Sequence, residues 1–187
     1  MRIVGGALSG RRFAGPKGDA TRPTAERVRE AMFSALAARG AVEGQRVLDL
    51  YAGTGALAVE ALSRGAARAV LVEHDRREAA VARRNLEHTG FTAVARVLAT
   101  DVARFLTGAP PAEAPFGLVC CDPPYEAADP VVDAVLAHLA TPGWLAPGAL
   151  VVVERPVGSA LGAPPAWEPR FARTYGDTLV HLLSARV

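Results

Sequence analysis

The segment Val47-Leu48-Asp49-Leu50-Tyr51-Ala52-Gly53-Thr54-Gly55 decides the fold of this chain. A short apolar run that leads into a Gly-x-Gly turn is typical of the first strand of a parallel sheet. Glycines at such a turn let the backbone bend tightly and approach a ligand closely. We expect a helix from about Gly55 to Arg64, and the free N–H groups at its start can bind a carboxylate or a phosphate. The segment therefore predicts a cofactor site at the carboxyl end of the first strand.

Strands and helices alternate along the rest of the chain. Further apolar strands are predicted at residues 69–72, 93–98, 118–121 and 150–153, and helices at residues 76–87 and 130–139. Short apolar strands that alternate with helices indicate a parallel sheet covered on both faces. Residues 171–175 and 179–185 flank Gly176-Asp177 and predict an antiparallel hairpin. We expect an α/β fold with a doubly wound, mostly parallel, Rossmann-like sheet and an antiparallel C-terminal hairpin.

The first 40 residues differ from this pattern. Residues 2–4 and 11–13 predict a small β-hairpin, and Thr24 is expected to cap a helix that ends at Gly40. Residues 1–30 contain seven basic and three acidic side chains, whereas the whole chain has a net charge of +2. A positive charge concentrated at one end suits a polyanion. A solvated arm without a partner would have the same composition.

The composition indicates one globular domain over residues 1–187, in which residues 1–40 form a basic extension and residues 41–187 the core. The chain is 50% hydrophobic and 21% charged, which excludes a disordered protein. The sequence contains neither an apolar run of membrane-spanning length nor a secretory signal, so we expect a cytoplasmic protein. The adjacent Cys120 and Cys121 are expected to be buried thiols, and the scattered histidines predict no metal site.

Glu73 ends the second predicted strand, 18 residues after Gly55. A carboxylate there can accept hydrogen bonds from both hydroxyls of a ribose, as NAD and S-adenosylmethionine would both require. Asp49 would repel a pyrophosphate but can pair with an ammonium or sulfonium group, and this favours S-adenosylmethionine. His74 either lines the adenine pocket or lies on the surface. Asp101 either accepts from the adenine amine or caps a helix over residues 102–106.

The predicted cofactor-binding residues on these elements are Asp49, Tyr51, Ala52, Gly53, Thr54, Gly55, Glu73, His74, Asp101 and Val102.

The fourth predicted strand ends in Asp122-Pro123-Pro124-Tyr125, beside the expected cofactor crevice. The lone pair of an exocyclic amine on a nucleic-acid base is delocalised into the ring. Asp122 can accept one of its N–H groups and the carbonyl of Pro123 the other, which directs the lone pair toward a methyl donor. Consecutive prolines hold that carbonyl rigidly, and Tyr125 can stack on a flipped base. The motif predicts an amino-methyltransferase that needs neither a metal nor a covalent intermediate, with Pro124 as part of the catalytic loop.

Over essentially its whole length the chain resembles the RsmD family of 16S ribosomal RNA guanine-N2 methyltransferases, which are class I enzymes that depend on S-adenosylmethionine. The resemblance is carried by Arg2-Ile3-Val4-Gly5-Gly6 with Gly10-Arg11-Arg12, by Arg22-Pro23-Thr24 leading to Arg27-Val28-Arg29-Glu30, by Asp49 to Leu57 leading to Glu60-Ala61-Leu62-Ser63-Arg64-Gly65, and by Asp122-Pro123-Pro124-Tyr125. The glycine turn and the Asp-Pro-Pro-Tyr motif belong to many amino-methyltransferases. The Arg-Pro-Thr helix and the basic N-terminal hairpin are more specific.

The resemblance implies a guanine in 16S ribosomal RNA as the substrate, of the type named after guanine 966, within an assembled or assembling small subunit. It implies that Arg22 and Thr24 lie near the cofactor. It also implies RNA contacts from the N-terminal region, for which the candidates are Arg2, Arg11, Arg12, Lys17 and Arg27. We expect a monomer. The alternatives are a DNA adenine-N6 methyltransferase, an NAD-dependent oxidoreductase and a non-catalytic RNA-binding protein, and of these the first would share the chemistry at Asp122.

Overall fold

The computed structural model describes residues 1–15, 23–162 and 165–186. Within these ranges the elements follow in the order α1 (Pro23–Ala37), β1 (Arg46–Leu50), α2 (Ala56–Ser63), β2 (Arg68–Glu73), α3 (Arg76–Thr89), β3 (Ala95–Ala99), α4 (Val102–Leu106), β4 (Phe116–Cys121), α5 (Asp129–Leu139), β5 (Leu145–Pro156), β6 (Trp167–Tyr175) and β7 (Thr178–Ala185).

The strands form one seven-stranded sheet in the order β3-β2-β1-β4-β5-β7-β6. Strands β1 to β5 are parallel, and β7 pairs antiparallel with both β5 and β6. Neighbouring residues of a strand face opposite sides, so Val47 packs with α1, α2 and α3, whereas Leu48 packs with α4 and α5. The predicted doubly wound, mostly parallel sheet with an antiparallel C-terminal hairpin is confirmed, and both cysteines are free and buried.

Strand β5 is much longer than the apolar run that predicts it. The run covers residues 150–153, but the strand extends from Leu145 to Pro156. Its second half is held by antiparallel pairing with β7, from Leu150 opposite Ser184 to Pro156 opposite Thr178. This pairing joins segments that are far apart in the sequence, so it does not depend on the local apolar pattern. Polar residues such as Glu154 therefore belong to the strand, although the apolar run ends before them.

The N-terminal hairpin is less regular than predicted. An isolated bridge joins Arg2 to Arg12, and the Ile3 N–H donates to the Arg11 carbonyl at 2.9 Å, so the two arms pair without forming full strands. Helix α1 begins at Pro23, which makes Thr24 a helical residue and not the N-cap that we predicted. Proline is favoured at the first helical position because its φ is already helical and it has no N–H to satisfy.

The hairpin packs directly on the core. Ile3 and Phe13 are buried in the cluster that contains residues of α1 and α2. The Val4 N–H donates to Glu60 Oε2 at 2.9 Å, and Ser63 accepts from the Ala7 N–H at 2.7 Å. The first 15 residues therefore form part of the wall around the sheet. Among the described helices, none is both long and apolar enough to cross a membrane.

Candidate active site

A cleft of about 680 Å³ opens at the carboxyl ends of β1, β2 and β4. The predicted site residues that line it are Asp49, Tyr51, Ala52, Gly53, Thr54, Glu73, His74, Asp122, Pro123, Pro124 and Tyr125. Parallel strands place their carboxyl ends at one edge of a sheet, and this explains why segments far apart in sequence meet here. The fold thus brings the glycine turn and the Asp-Pro-Pro-Tyr motif into one cleft.

The turn after β1 depends on unusual backbone conformations. Gly55 has a φ of 83°, and a Cβ at this position would lie 2.9 Å from Leu71 Cδ2. It stands behind the cleft, where it lets α2 approach β2. Tyr51 has a φ of 60°, a left-handed conformation that tyrosine rarely adopts. Such local strain of about 1–3 kcal/mol is typical of functional sites, and here it falls on a residue that lines the cleft.

The first turn of α2 faces the cleft with free donors. Among the described residues, no acceptor binds the backbone N–H groups of Ala56 and Leu57, and both residues line the cleft. The next N–H, that of Ala58, donates to Asp49 Oδ2 at 2.9 Å. Two unpartnered N–H groups at a helix start suit a carboxylate such as that of S-adenosylmethionine.

Asp49 is buried, with only 1% of its surface exposed. Its Oδ1 atom has no hydrogen-bond partner among the described residues. Burial raises the pKa of this carboxyl group to about 8, and the nearby carboxylates of Asp122 and Glu73 add to this shift. An unpartnered buried carboxylate oxygen in a cleft fits a cationic ligand group and would repel a pyrophosphate, which favours S-adenosylmethionine over NAD.

Glu73 is held in place by backbone donors. Its Oε2 accepts from the Gly53 N–H and its Oε1 from the Asp75 N–H, both at 2.8 Å. His74 Nδ1 lies 3.0 Å from Glu73 Oε1, while the imidazole is 66% exposed. Each carboxylate oxygen has a second lone pair, so Glu73 can still accept from ribose hydroxyls while it fixes the glycine turn.

Besides Gly55, four predicted cofactor residues lie elsewhere or are not described. Asp101 caps α4, since its Oδ1 accepts from the Arg104 N–H at 3.0 Å, and it does not line the cleft. Val102 is buried on the face of the sheet that α4 and α5 cover. Arg22 and the side chain of Thr24 lie outside the described residues. For Asp101 the structure shows the capping role, which is the alternative that the sequence left open.

The Asp-Pro-Pro-Tyr segment follows β4 directly and forms one wall of the cleft. The Asp122 side chain is open to the cleft but closely surrounded by protein, and this desolvation raises its pKa. No donor among the described residues reaches the Pro123 carbonyl oxygen. Tyr125 is 53% exposed, and its hydroxyl lies 3.1 Å from Thr178 Oγ1. Two free acceptors next to an exposed aromatic ring form the arrangement that an exocyclic amine requires.

Four charged residues of the cleft were not predicted from the sequence, namely Arg29, Glu78, Glu154 and Asp177. Arg29 is buried on α1, and its Nε lies 3.5 Å from Glu60 Oε2. Nothing in the local pattern distinguishes it from the other arginines of that helix. Glu154 follows the apolar run of β5 as Glu73 and Asp122 follow theirs, so the same signal could have found it.

The candidate RNA-binding arginines are exposed on the N-terminal hairpin and on α1. Arg2 pairs with Glu26 at 3.3 Å, and an Arg11 guanidinium nitrogen donates to the His88 carbonyl. Arg12 and Arg27 are exposed as well. Lys17 lies outside the described residues. Among the described members of this set, Arg2 therefore has its charge compensated by a neighbouring carboxylate.

A family model described as "Conserved hypothetical protein 95" matches residues 1–184. The chain is 37% identical over 183 residues to "Ribosomal RNA small subunit methyltransferase D" of Escherichia coli (strain K12), covering 97% of this chain and 88% of that protein. This chain belongs to the RsmD family.

Other relatives agree with this membership. The "Putative rRNA methyltransferase YlbH" of Bacillus subtilis (strain 168) is 36% identical over 126 residues, which is 67% of each chain. The solved structure of "Putative methyltransferase yhhF from Escherichia coli" superposes with a TM-score of 0.84 at 34% identity and covers 99% of this chain and 97% of that chain. A more distant solved structure is "Crystal structure of SMU.776, a putative methyltransferase complexed with SAH". It shares the fold at 15% identity with a TM-score of 0.66, and the match covers 86% of this chain and 49% of that chain. The chain thus has the fold of class I methyltransferases, and the prediction of a methyltransferase is confirmed at the level of the family.

Proposed function

We propose that this protein transfers the methyl group of S-adenosylmethionine to the exocyclic N2 amine of a guanine in small-subunit ribosomal RNA. The observation that carries the proposal is the meeting, in one cleft, of the buried Asp49 carboxylate, whose Oδ1 has no partner among the described residues, with the acceptors of Asp122 and Pro123, to which no described donor binds. The first suits the cofactor and the second suits an amine. The RNA substrate is supported by the names of the relatives, and the position called guanine 966 by the family resemblance.

S-adenosylmethionine supplies an electrophilic methyl group when it is bound. Asp49 would hold its ammonium or sulfonium charge, Glu73 its ribose hydroxyls, and the start of α2 its carboxylate. Gly53 and its neighbours Tyr51, Ala52 and Thr54 shape the floor on which it lies. Asp101, on a neighbouring strand end, remains a proposed adenine contact through its second carboxylate oxygen.

Asp122 and the Pro123 carbonyl accept the two N–H groups of the target amine and direct its lone pair toward the methyl group. As the nitrogen gains a bond to carbon, it gains positive charge, which the Asp122 carboxylate stabilises. Asp122 then takes up the proton that the methylated amine loses. The exposed Tyr125 ring would stack on the flipped base, and its hydroxyl contact with Thr178 holds the ring at the mouth of the cleft.

The test is methyl transfer from labelled S-adenosylmethionine to small-subunit particles, naked ribosomal RNA and duplex DNA. We expect label in ribosomal RNA, and digestion with mass mapping should place it on the N2 atom of one guanine. The matched control is Asp122→Ala, which should bind the cofactor but leave the RNA unlabelled. Label in the adenines of DNA, with none in ribosomal RNA, would contradict the proposal and support the adenine-N6 alternative.

A further inference from the structure

Glu154 is a second acid on the substrate side of the cleft, and the mechanism above leaves it without a role. It lies on β5, next to the strand that carries Asp122. Among the described residues, no donor makes a hydrogen bond to its carboxylate. A partly buried carboxylate without a hydrogen-bond donor is unfavourable in the free protein. A ligand group that donates to this carboxylate would remove the unfavourable free energy.

The sheet register places this carboxylate beside Asp122. Cys121 pairs with Val153, so Asp122 and Glu154 each follow a paired position on neighbouring parallel strands. Cys120 and Val152, two residues earlier, both face α1, α2 and α3. Because side chains alternate along a strand, Asp122 and Glu154 face that same side, and both line the cleft. Neighbouring strands lie about 4.8 Å apart. Two adjacent donors on the edge of one purine can therefore each bind one of the two carboxylates.

Charge at this point of the cleft is dominated by acids. Burial raises the pKa of Glu154, and the carboxylates of Asp122 and Asp49 raise it further, while the positive charge of Arg29, which also lines the cleft, lowers it. These acids on three strands offer acceptors to a ligand whose edge carries donors. Guanine has such an edge, since its N1–H lies directly beside its N2 amine, whereas adenine carries a bare lone pair at N1.

We infer that Glu154 determines base specificity by accepting the N1–H of the target guanine while Asp122 and Pro123 hold its N2 amine. The inference rests on the proposed function and names a specificity-determining residue for it. In a base with a lone pair at N1, the partial negative charge of N1 would repel the Glu154 carboxylate. The carboxylate would then have no hydrogen-bond donor. Sites of this kind reject analogues that lack the required donor, because a buried polar group would remain unpaired.

The experiment compares guanine with 2-aminopurine, which keeps the N2 amine but has a lone pair in place of the N1–H. Small-subunit RNA ligated from two pieces, with either base at the methylated position, is reconstituted into particles and assayed near pH 8, close to the pKa of about 8 of the Glu154 carboxyl group, so that its ionised form is well populated. The wild-type enzyme should favour guanine in kcat/KM by roughly 10- to 100-fold, the range for a lost hydrogen bond to a charged group. Glu154→Gln should lower this preference at least about tenfold, because its amide N–H can donate to the bare N1.

Asp177→Asn is the matched control, since Asp177 is an exposed acid on the rim of the same cleft. It removes the same charge, and the preference for guanine should not change. Three results would overturn the inference: equal wild-type use of the two bases, an unchanged preference in Glu154→Gln, or an equal loss of preference in Asp177→Asn. The first of these needs no variant, so a misfolded Glu154→Gln protein does not block the test. A wild-type enzyme that labels no ribosomal RNA refutes the proposed function itself, and the inference with it.

Discussion

Replacing Asp49 by asparagine should stabilise the ligand-free protein and weaken its binding of S-adenosylmethionine. The amide oxygen of the asparagine can still accept from the Ala58 N–H, which now donates to Asp49 Oδ2 at 2.9 Å. The variant therefore keeps the local hydrogen bond and loses only the ability to carry a negative charge. Because Oδ1 has no partner among the described residues, no other contact of the described structure has to break.

The expected magnitude for stability follows from the pKa of Asp49. Folding raises this pKa from 3.8 to about 8 because the carboxyl group is buried. The wild-type protein binds the proton more tightly when folded, so its stability is complete below pH 3.8 and falls as the pH rises toward about 8. Over that window the loss is at most about 6 kcal/mol, and Asp49→Asn should remove this pH dependence.

The same carboxylate should bind the cofactor's positive charge. Loss of a charge-assisted hydrogen bond costs about 1.5–3 kcal/mol, which raises the Kd for S-adenosylmethionine roughly 10- to 150-fold. Near pH 7 most Asp49 carboxyl groups are protonated in the free protein, and a bound cation favours ionisation. Binding to the wild-type protein should therefore release up to about one proton more than binding to Asp49→Asn.

Calorimetry in buffers of different ionisation enthalpy measures both the affinity and the number of protons released. Thermal or urea unfolding of the ligand-free proteins across roughly pH 3 to 9, a range chosen to bracket the pKa values of 3.8 and about 8, measures the difference in stability. Equal proton release in the two proteins, together with equal affinity, would refute the assignment of Asp49 to the cofactor's cation. A variant that is less stable than the wild type at every pH would refute the argument from burial.

Three further predictions concern the other parts of the site. Glu73→Ala should weaken binding of S-adenosylmethionine by about 1.5–3 kcal/mol in calorimetry, and unchanged affinity in a folded variant would remove the ribose assignment. Asp122→Ala should lower the methylation rate at least about 10²-fold at nearly normal cofactor affinity, so near-normal turnover would exclude it from the mechanism. Replacing Arg11 and Arg12 together by alanine should flatten the slope of log RNA affinity against log salt by roughly 1.5. Charge reversal at Arg186 is the control for this pair, and an equal effect there would show that only net charge matters.

The N-terminal hairpin is packed against the cofactor-binding core, because Met1 lines the cleft and the Val4 N–H donates a hydrogen bond to Glu60 of α2. Arg11 and Arg12 are nevertheless exposed and do not line the cleft, and the Arg11 guanidinium donates to the His88 carbonyl at the end of α3. Their replacement should still leave cofactor affinity unchanged, whereas deletion of the hairpin would not.

Much of the site could be predicted because its residues lie at the ends of apolar strands. Asp49, Glu73 and Asp122 each stand in or directly after a short apolar run, and parallel strands collect their carboxyl ends at one edge. Glu154 was not predicted, although it also directly follows an apolar run. In the structure it lies inside β5, because the antiparallel pairing with β7 extends this strand beyond the apolar run. Asp101 gave two interpretations from sequence, and the structure shows it bonded to the Arg104 N–H.

The sequence by itself determined the alternation of strands and helices, the glycine turn and the identity of the acids at the strand ends. These features are local, because apolar periodicity and glycine conformations act over a few neighbouring residues. Only the tertiary structure decided that Arg29 of α1 and Glu154 of β5 would line the same cleft, that Asp49 Oδ1 would lack a partner among the described residues, and that Tyr51 would adopt a left-handed conformation. Each of these depends on what distant segments place around a residue, and burial, pairing and strain arise from that packing.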